Sequence, residues 1–136
     1  MDTTEASRLG CVIVTPEKTV LETDADFVAL PLFDGEVGIG LLHSPMIGRL
    51  GFGEMRIRNG EATERYYVDG GFVQVADNQV AVLTNRAVPA GEVDRTAAQE
   101  QLDASLRQKT AGVDELAIRD RQIAQARGQL RVAARV

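Results

Sequence analysis

Pro89-Ala90-Gly91 divides this chain into two parts that obey different periodicities. Before it, short apolar runs alternate with Gly, Asn and Asp punctuation. After it, from Glu92 to Val136, there is no Pro, Phe, Tyr or Trp, and Ala, Gln, Leu and Arg predominate. A period-2 segment and a period-3.6 segment cannot exchange roles, because each directs its apolar side chains to one face in only one conformation. The chain is therefore expected to hold a β domain at residues 1–90 and a helical element at residues 91–136.

In the first part, RLGCVIVT predicts one strand, and TVLETDADFVALP two more joined by an acidic bend. GEMRIR and TERYYV flank Asn59-Gly60, and FVQVA and QVAVLT flank Asp77-Asn78. Both dipeptides tolerate the positive φ of tight hairpin turns. Met55 and Ile57 alternate with Arg56 and Arg58, and Val73 and Val75 with Gln74, as in half-buried strands. Eight to ten short strands with turns this frequent predict a β-sandwich or flattened barrel.

In the second part, Asp94 is a helix N-cap candidate, and Val93, Ala97, Ala98, Leu102, Ser105 and Leu106 form a narrow stripe at helical spacing. Thr110-Ala111-Gly112 breaks the helix and Asp114 is placed to cap a second one. There, Leu116, Ile123 and Leu130 recur at intervals of seven. The expected product is an antiparallel two-helix hairpin. Its stripes are thin and rich in alanine, so it serves either as a stabilising appendage or as a mobile element able to pack elsewhere.

Charge separates the parts as well. Residues 1–91 carry 13 acids and 7 bases, whereas residues 92–136 carry 7 acids and 8 bases. From Arg121 onward there are four arginines, Arg121, Arg127, Arg131 and Arg135, and no acid. The helix dipole accounts for some of them; an acidic partner surface would account for the rest. A net charge of −5 and 4% aromatic residues with no Trp argue against a nucleic-acid partner. No leader is expected at MDTTEASRLG, which lacks a basic stretch followed by an apolar one, and no apolar run has the length of a membrane span.

Chemistry is scarce. A single histidine, His43, excludes a multi-histidine metal site, and a single cysteine, Cys11, excludes a cysteine-based zinc site and an internal disulfide. Cys11 opens the apolar run CVIV and is expected in the core. His43 has Ser44 as its nearest hydroxyl, but adjacent residues of an extended loop point apart, and there is no nucleophile elbow. Asp24 and Asp26 are assigned to a solvated turn. GEVGIG lacks the lysine and the following helix of a phosphate loop. No catalytic or metal residue is assigned.

The order of these features resembles the epsilon subunit family of bacterial F-type ATP synthases, counterpart of the mitochondrial delta subunit. The strongest piece is GEVGIGLLHSPMIGRL, residues 35–50, similar to the family pattern G-E-[LV]-G-I-x-x-x-H-x-P. GEMRIR, YYVDGGFVQVADNQVAVLTNRA and the position of the two-helix tail extend the likeness over nearly the whole chain. The resemblance implies a ten-stranded sandwich followed by a helical hairpin, in a non-catalytic rotor subunit of the central stalk. It implies that the sandwich binds the gamma subunit and rests on the membrane ring of c subunits. Glu36, Gly38, His43 and Pro45 would then face the ring. It also implies an arm that lies against the sandwich or extends toward the alpha and beta catalytic subunits, where Arg121, Arg127, Arg131 and Arg135 would meet acidic surface and hydrolysis would be inhibited. The location implied is the cytoplasmic face of the bacterial inner membrane, without insertion into it.

One departure concerns ATP. Some members carry [IL]-D-x-x-R-A at the start of the first helix; the matching stretch here runs Val93-Asp94-Arg95-Thr96-Ala97-Ala98. Ala97 holds the arginine position, and Arg95 lies about 200° around the helix from it. Second-helix arginines such as Arg119 and Arg127 could still contribute, but without a guanidinium at Ala97 ATP binding is expected to be weak or absent, and no cofactor is assigned. The competing reading is a free-standing cytosolic β domain that binds a small ligand or regulates another enzyme.

Overall fold

The computed structural model describes residues 8–135; the stretch before Arg8, read above for a leader, and Val136 lie outside the described residues. Eight strands form one sheet: β1 (Leu9–Val14), β2 (Thr19–Ala25), β3 (Phe27–Leu32), β4 (Gly35–Ile39), β5 (Met46–Asn59), β6 (Ala62–Ala76), β7 (Gln79–Leu83) and β8 (Ala87–Pro89). The order is β2-β1-β7-β6-β5-β3-β4, with β8 on the other half of β6, and all pairs are antiparallel except β1 with β7.

The sheet becomes a sandwich because β5 and β6, 14 and 15 residues long, belong to both layers. Met46–Leu50 pairs with Gly71–Val75 in one layer beside β7; Phe52–Asn59 pairs with Ala62–Asp69 in the other, beside β3 and β8. The corner falls at Gly51 and at Gly70-Gly71. A Cβ on Gly71, whose φ is +102°, would stand 1.9 Å from the Leu83 carbonyl oxygen, so only glycine fits there. The count is eight strands among the described residues, the low end of the eight to ten expected from the turn spacing and below the about ten implied by the resemblance. Two runs on either side of the corner are single continuous strands, and local pattern does not distinguish a sharp bend from a break.

Both hairpin signals are used. Asp77 and Asn78 both have positive φ, the two-residue turn expected from the sequence. In the other hairpin the loop residues are Gly60-Glu61, and Asn59 is the last residue of β5. Inward residues of both layers, among them Leu9, Ile13, Val28, Leu30, Met55, Val68, Val73 and Val82, fill one core. Cys11 belongs to it, and burial pushes its thiol up to about 12.

A single 3-10 turn at Ala90–Glu92 leads to α1 (Arg95–Arg107) and α2 (Val113–Ala134), which pack on one another. Asp94 caps α1, its carboxylate accepting from Ala97 N–H at 3.0 Å. The expected cap Asp114 instead lies in the first turn of α2, whose N-cap is Gly112. The stripe is thinner than drawn from the sequence. Only Ala98 and Ser105 of α1 are buried, while Ala97 and Leu106 face solvent. In α2 the buried residues, Ala126, Gly128, Gln129 and Val132, all lie in the second half; Val113, Leu116 and Ile118 are exposed.

Candidate functional site

Three features outside the core are candidates for function: a loop at one end of the sandwich, an outer sheet face, and the seam between sandwich and α2.

The loop after β4 carries the expected His43 and Pro45. Its ring nitrogen Nδ1 lies 2.7 Å from the Ser44 carbonyl oxygen, a contact within the loop. Leu42 N–H donates to the Asn78 side-chain oxygen at 2.7 Å, which ties the loop to the β6–β7 turn. Leu42 is 77% exposed and has a φ of 60°, unusual for a bulky residue. With Leu41 it forms an apolar tip that sequence reading passed over, since two leucines beside the only histidine read as part of its run. Glu36 and Gly38 lie back along β4 and belong to other neighbourhoods. A Cβ on Gly38 would run into the ring of Phe27. Glu36 is held by Arg56, with Nη2 to Oε1 at 2.7 Å, and this hydrogen bond keeps its carboxyl below the usual carboxylate range.

The outer face of the layer containing β1, β7, β6 and β5 is apolar over much of its extent. Arg49 lies opposite Phe72, Phe72 opposite Leu83, and Leu83 opposite Val14. Ile47 is 76% exposed, Phe72 57% and Leu83 50%, and Phe33 adjoins them with the Arg49 guanidinium over its ring. A contiguous exposed patch of this kind marks a docking surface. Alternation alone shows that these residues point out; which outward residues sit side by side is a matter of register.

The seam holds the arm. Gly128 of α2 approaches β5 so closely that a Cβ there would stand 2.6 Å from the Phe52 carbonyl oxygen. Tyr67, Val132 and Ala90 form a small second core beneath it, with Phe52 and Val93 at its edge. The Tyr67 hydroxyl donates to Asp69 Oδ1 at 2.7 Å, and Gln125 donates across the seam to Asp69 Oδ2 at 3.3 Å. Burial, and then Asp69, push the Tyr67 phenol upward. Arg131 donates to the Phe52 carbonyl oxygen, and Arg135 shares Glu54 with Arg56. Two of the four terminal arginines thus contact the sandwich in this docked arm; Arg121 and Arg127 have no ion-pair partner among the described residues.

Arg119, considered above for ATP, donates to the Ser105 carbonyl oxygen, and Ala97 is exposed beside the Asp94 cap. Among the described residues no group of three or more His, Cys, Asp or Glu is placed to hold a metal, and no helix is long and apolar enough to cross a membrane.

Residues 8–90 match the family described as ATP synthase, Delta/Epsilon chain, beta-sandwich domain. The ATP synthase epsilon chain of Rhodopirellula baltica is 48% identical over 125 residues, covering 92% of this chain and 98% of that one. A chain from Propionigenium modestum, described as ATP synthase epsilon chain, sodium ion specific, is 32% identical over 91 residues, 67% of this chain and 66% of that one. Among solved structures, a chain of the mitochondrial ATP synthase of Euglena gracilis, in an assembly of OSCP, F1 and c-ring, superposes with a TM-score of 0.78 at 20% identity, over 96% of this chain and 82% of that one. At that identity the likeness concerns the fold, and it includes the helical part.

Proposed function

From the premise that this chain belongs to the delta/epsilon family of ATP synthase subunits, we propose that it is a non-catalytic rotor subunit of the central stalk. In this role it couples ion-driven rotation of a membrane ring to ATP synthesis, and its arm restrains hydrolysis. The observation that carries the reading is the exposed apolar face of Ile47, Phe72 and Leu83 beside a separately seated helical arm. A free-standing domain has no use for that face, whereas a stalk subunit needs rigid, shape-complementary contact with gamma.

The ring of c subunits is proposed to meet the end that carries Leu41, Leu42, His43 and Pro45, with Glu36 and Gly38 on the strand that leads there. Torque transmission at such a contact requires a fixed loop shape, which the Leu42–Asn78 bond supports. No proton transfer is required of His43.

The arm is held by one small core, a glycine contact and a few polar bonds, so docked and extended packings need differ by only a few kcal/mol. When extended, Arg121, Arg127, Arg131 and Arg135 would meet acidic surface on the alpha and beta subunits. ATP is assigned no site, because Ala97 offers no guanidinium. The subunit would lie peripherally on the cytoplasmic side of the membrane.

The test is hydrolysis by the reconstituted soluble catalytic head, with full-length chain or with residues 1–91 alone. Suppression by the full chain and not by the truncation is the expected result. Equal rates would remove the inhibitory role, and failure of the full chain to bind would remove the rotor role.

A further inference from the structure

Glu54 and Arg56 stand two apart on β5 and therefore point to the same side, away from the core residues Met55 and Ile57. Glu36, on β4, reaches that side from beyond β3. The end of α2 comes down beside them: Arg131, Val132 and Arg135 share a pocket of about 250 Å³ with Glu36, Glu54 and Arg56. Four charges of alternating sign thus run in a row from strand to arm. Arg56 holds Glu36 with two prongs, Nη2 to Oε1 at 2.7 Å and Nη1 to Oε2 at 3.3 Å. The same Nη1 lies 3.2 Å from Glu54 Oε1, and Arg135 Nη1 approaches that oxygen at 3.5 Å.

The pairing is uneven. The Glu54 side chain is 8% exposed, yet its Oε2 is buried with no hydrogen-bond donor among the described residues. A buried oxygen left without a donor costs free energy that a hydrogen bond recovers. Arg56 is placed to supply that bond, because it already touches the other oxygen, but Glu36 holds its second prong. Of the contacts that make Arg56 keep its proton more firmly, the hydrogen bond to Glu36 outweighs the one to Glu54. Glu36 is the accessible end of the row, with 54% of its side chain exposed.

We propose that Arg56 is a shared cation that relays contact at Glu36 to the arm. When a basic side chain of a docking partner takes the Glu36 carboxylate, Arg56 closes its fork on Glu54 and displaces Arg135, which weakens the hold on the end of α2. The inference rests on the rotor reading for the partner, which is then the membrane ring, and deepens that reading by giving the arm a trigger. The relay itself lies within this chain. By linkage, an arm seated on Glu54 keeps Arg56 on Glu36 and so opposes the partner's contact there to the same extent. The effect is bounded, because Arg65 also donates to the Arg135 carbonyl oxygen at 3.1 Å and the small core of Tyr67 and Val132 is untouched.

The experiment reads hydrogen exchange of residues 126–134 in the full-length chain, unmodified and as Glu36→Gln, Arg56→Gln and the double variant. Glu36→Gln frees Arg56 as a partner would, at a residue that makes no hydrogen bond to the arm. Exchange is expected to be about two- to fivefold faster in Glu36→Gln, the scale of one partly exposed ion pair. It is expected to be slower in Arg56→Gln, where Glu54 is left to Arg135 alone. In the double variant Glu36→Gln should add nothing to Arg56→Gln. Glu54→Gln gives a second background in which the Glu36→Gln effect should vanish, and circular dichroism on heating shows that each variant is folded. An effect of Glu36→Gln that persists without Arg56 would overturn the relay in favour of direct attraction between Glu36 and Arg135. No change in Glu36→Gln, or faster exchange in Arg56→Gln, would overturn it too. None of these outcomes touches the rotor reading, which stands or falls on binding and on suppression of hydrolysis.

Discussion

At Gly128 a methyl group in place of hydrogen would meet the Phe52 carbonyl oxygen at 2.6 Å, and backbone is a neighbour that cannot swing aside. Gly128→Ala is therefore expected to lift the second half of α2 off β5, costing about 1–3 kcal/mol of docking as overpacked sites do. Limited proteolysis should show the arm cut faster while the sandwich stays intact. Gly112→Ala, where a Cβ meets open space, is the control. Cys11 makes a different kind of expectation. Its folded pKa is raised to about 12 from an ordinary 9.0, so between those values the unfolded thiol ionises and the folded one does not. Stability contributed by keeping the thiol neutral is complete below about pH 9 and falls as pH rises through that window. A thiol reagent at neutral pH should label Cys11 only after denaturation. That Cys11 would be buried was legible in CVIV. That Gly128 is a contact point was not, because a glycine inside a helix pattern carries no sign of what approaches it.

For the elements, the two helices differ in what starts them. α1 has a side-chain cap at Asp94 and α2 has none. Asp94→Ala should cost about 1 kcal/mol, as loss of a cap does, and circular dichroism on heating should show helix lost before strand. The cap was legible, since an acid before an amphipathic stripe is a local signal. The choice of Gly112 over Asp114 was not, because both lie within one turn of the start and only chain direction on leaving α1 selects between them. For a related reason, the strand count falls at the low end of the eight to ten expected. β5 and β6 continue through Gly51 and Gly70-Gly71, and a glycine in a strand pattern signals a bend or an end with equal force.

Across the whole molecule, the order of stabilities should follow burial. Residues 113–121 of α2 are mostly exposed and rest on little, whereas β1, β5, β6 and β7 carry the core. Native-state hydrogen exchange is expected to show residues 113–121 exchanging fastest, the buried half of α2 at an intermediate rate, and the strands only on global unfolding. A uniform rate across arm and sandwich would mean that the two unfold as one unit, and a switchable arm would then be untenable.

The sequence by itself determined the two-part plan, both tight hairpins, the buried alternation of Met55, Ile57, Val73 and Val75, and the thinness of the arm's apolar stripe. Those properties follow from residue spacing and turn stereochemistry, which act over a few positions. Only the tertiary structure decided that Glu36 is occupied by Arg56, that Leu42 is tied to Asn78, that Phe33, Phe72 and Leu83 adjoin on one outer face, and that Arg135 shares Glu54 with Arg56. These depend on strand register and on where α2 comes to rest. Pairs such as Phe52 and Gly128, 76 positions apart, leave no mark on their neighbours in sequence; their proximity exists only once the chain has closed on itself.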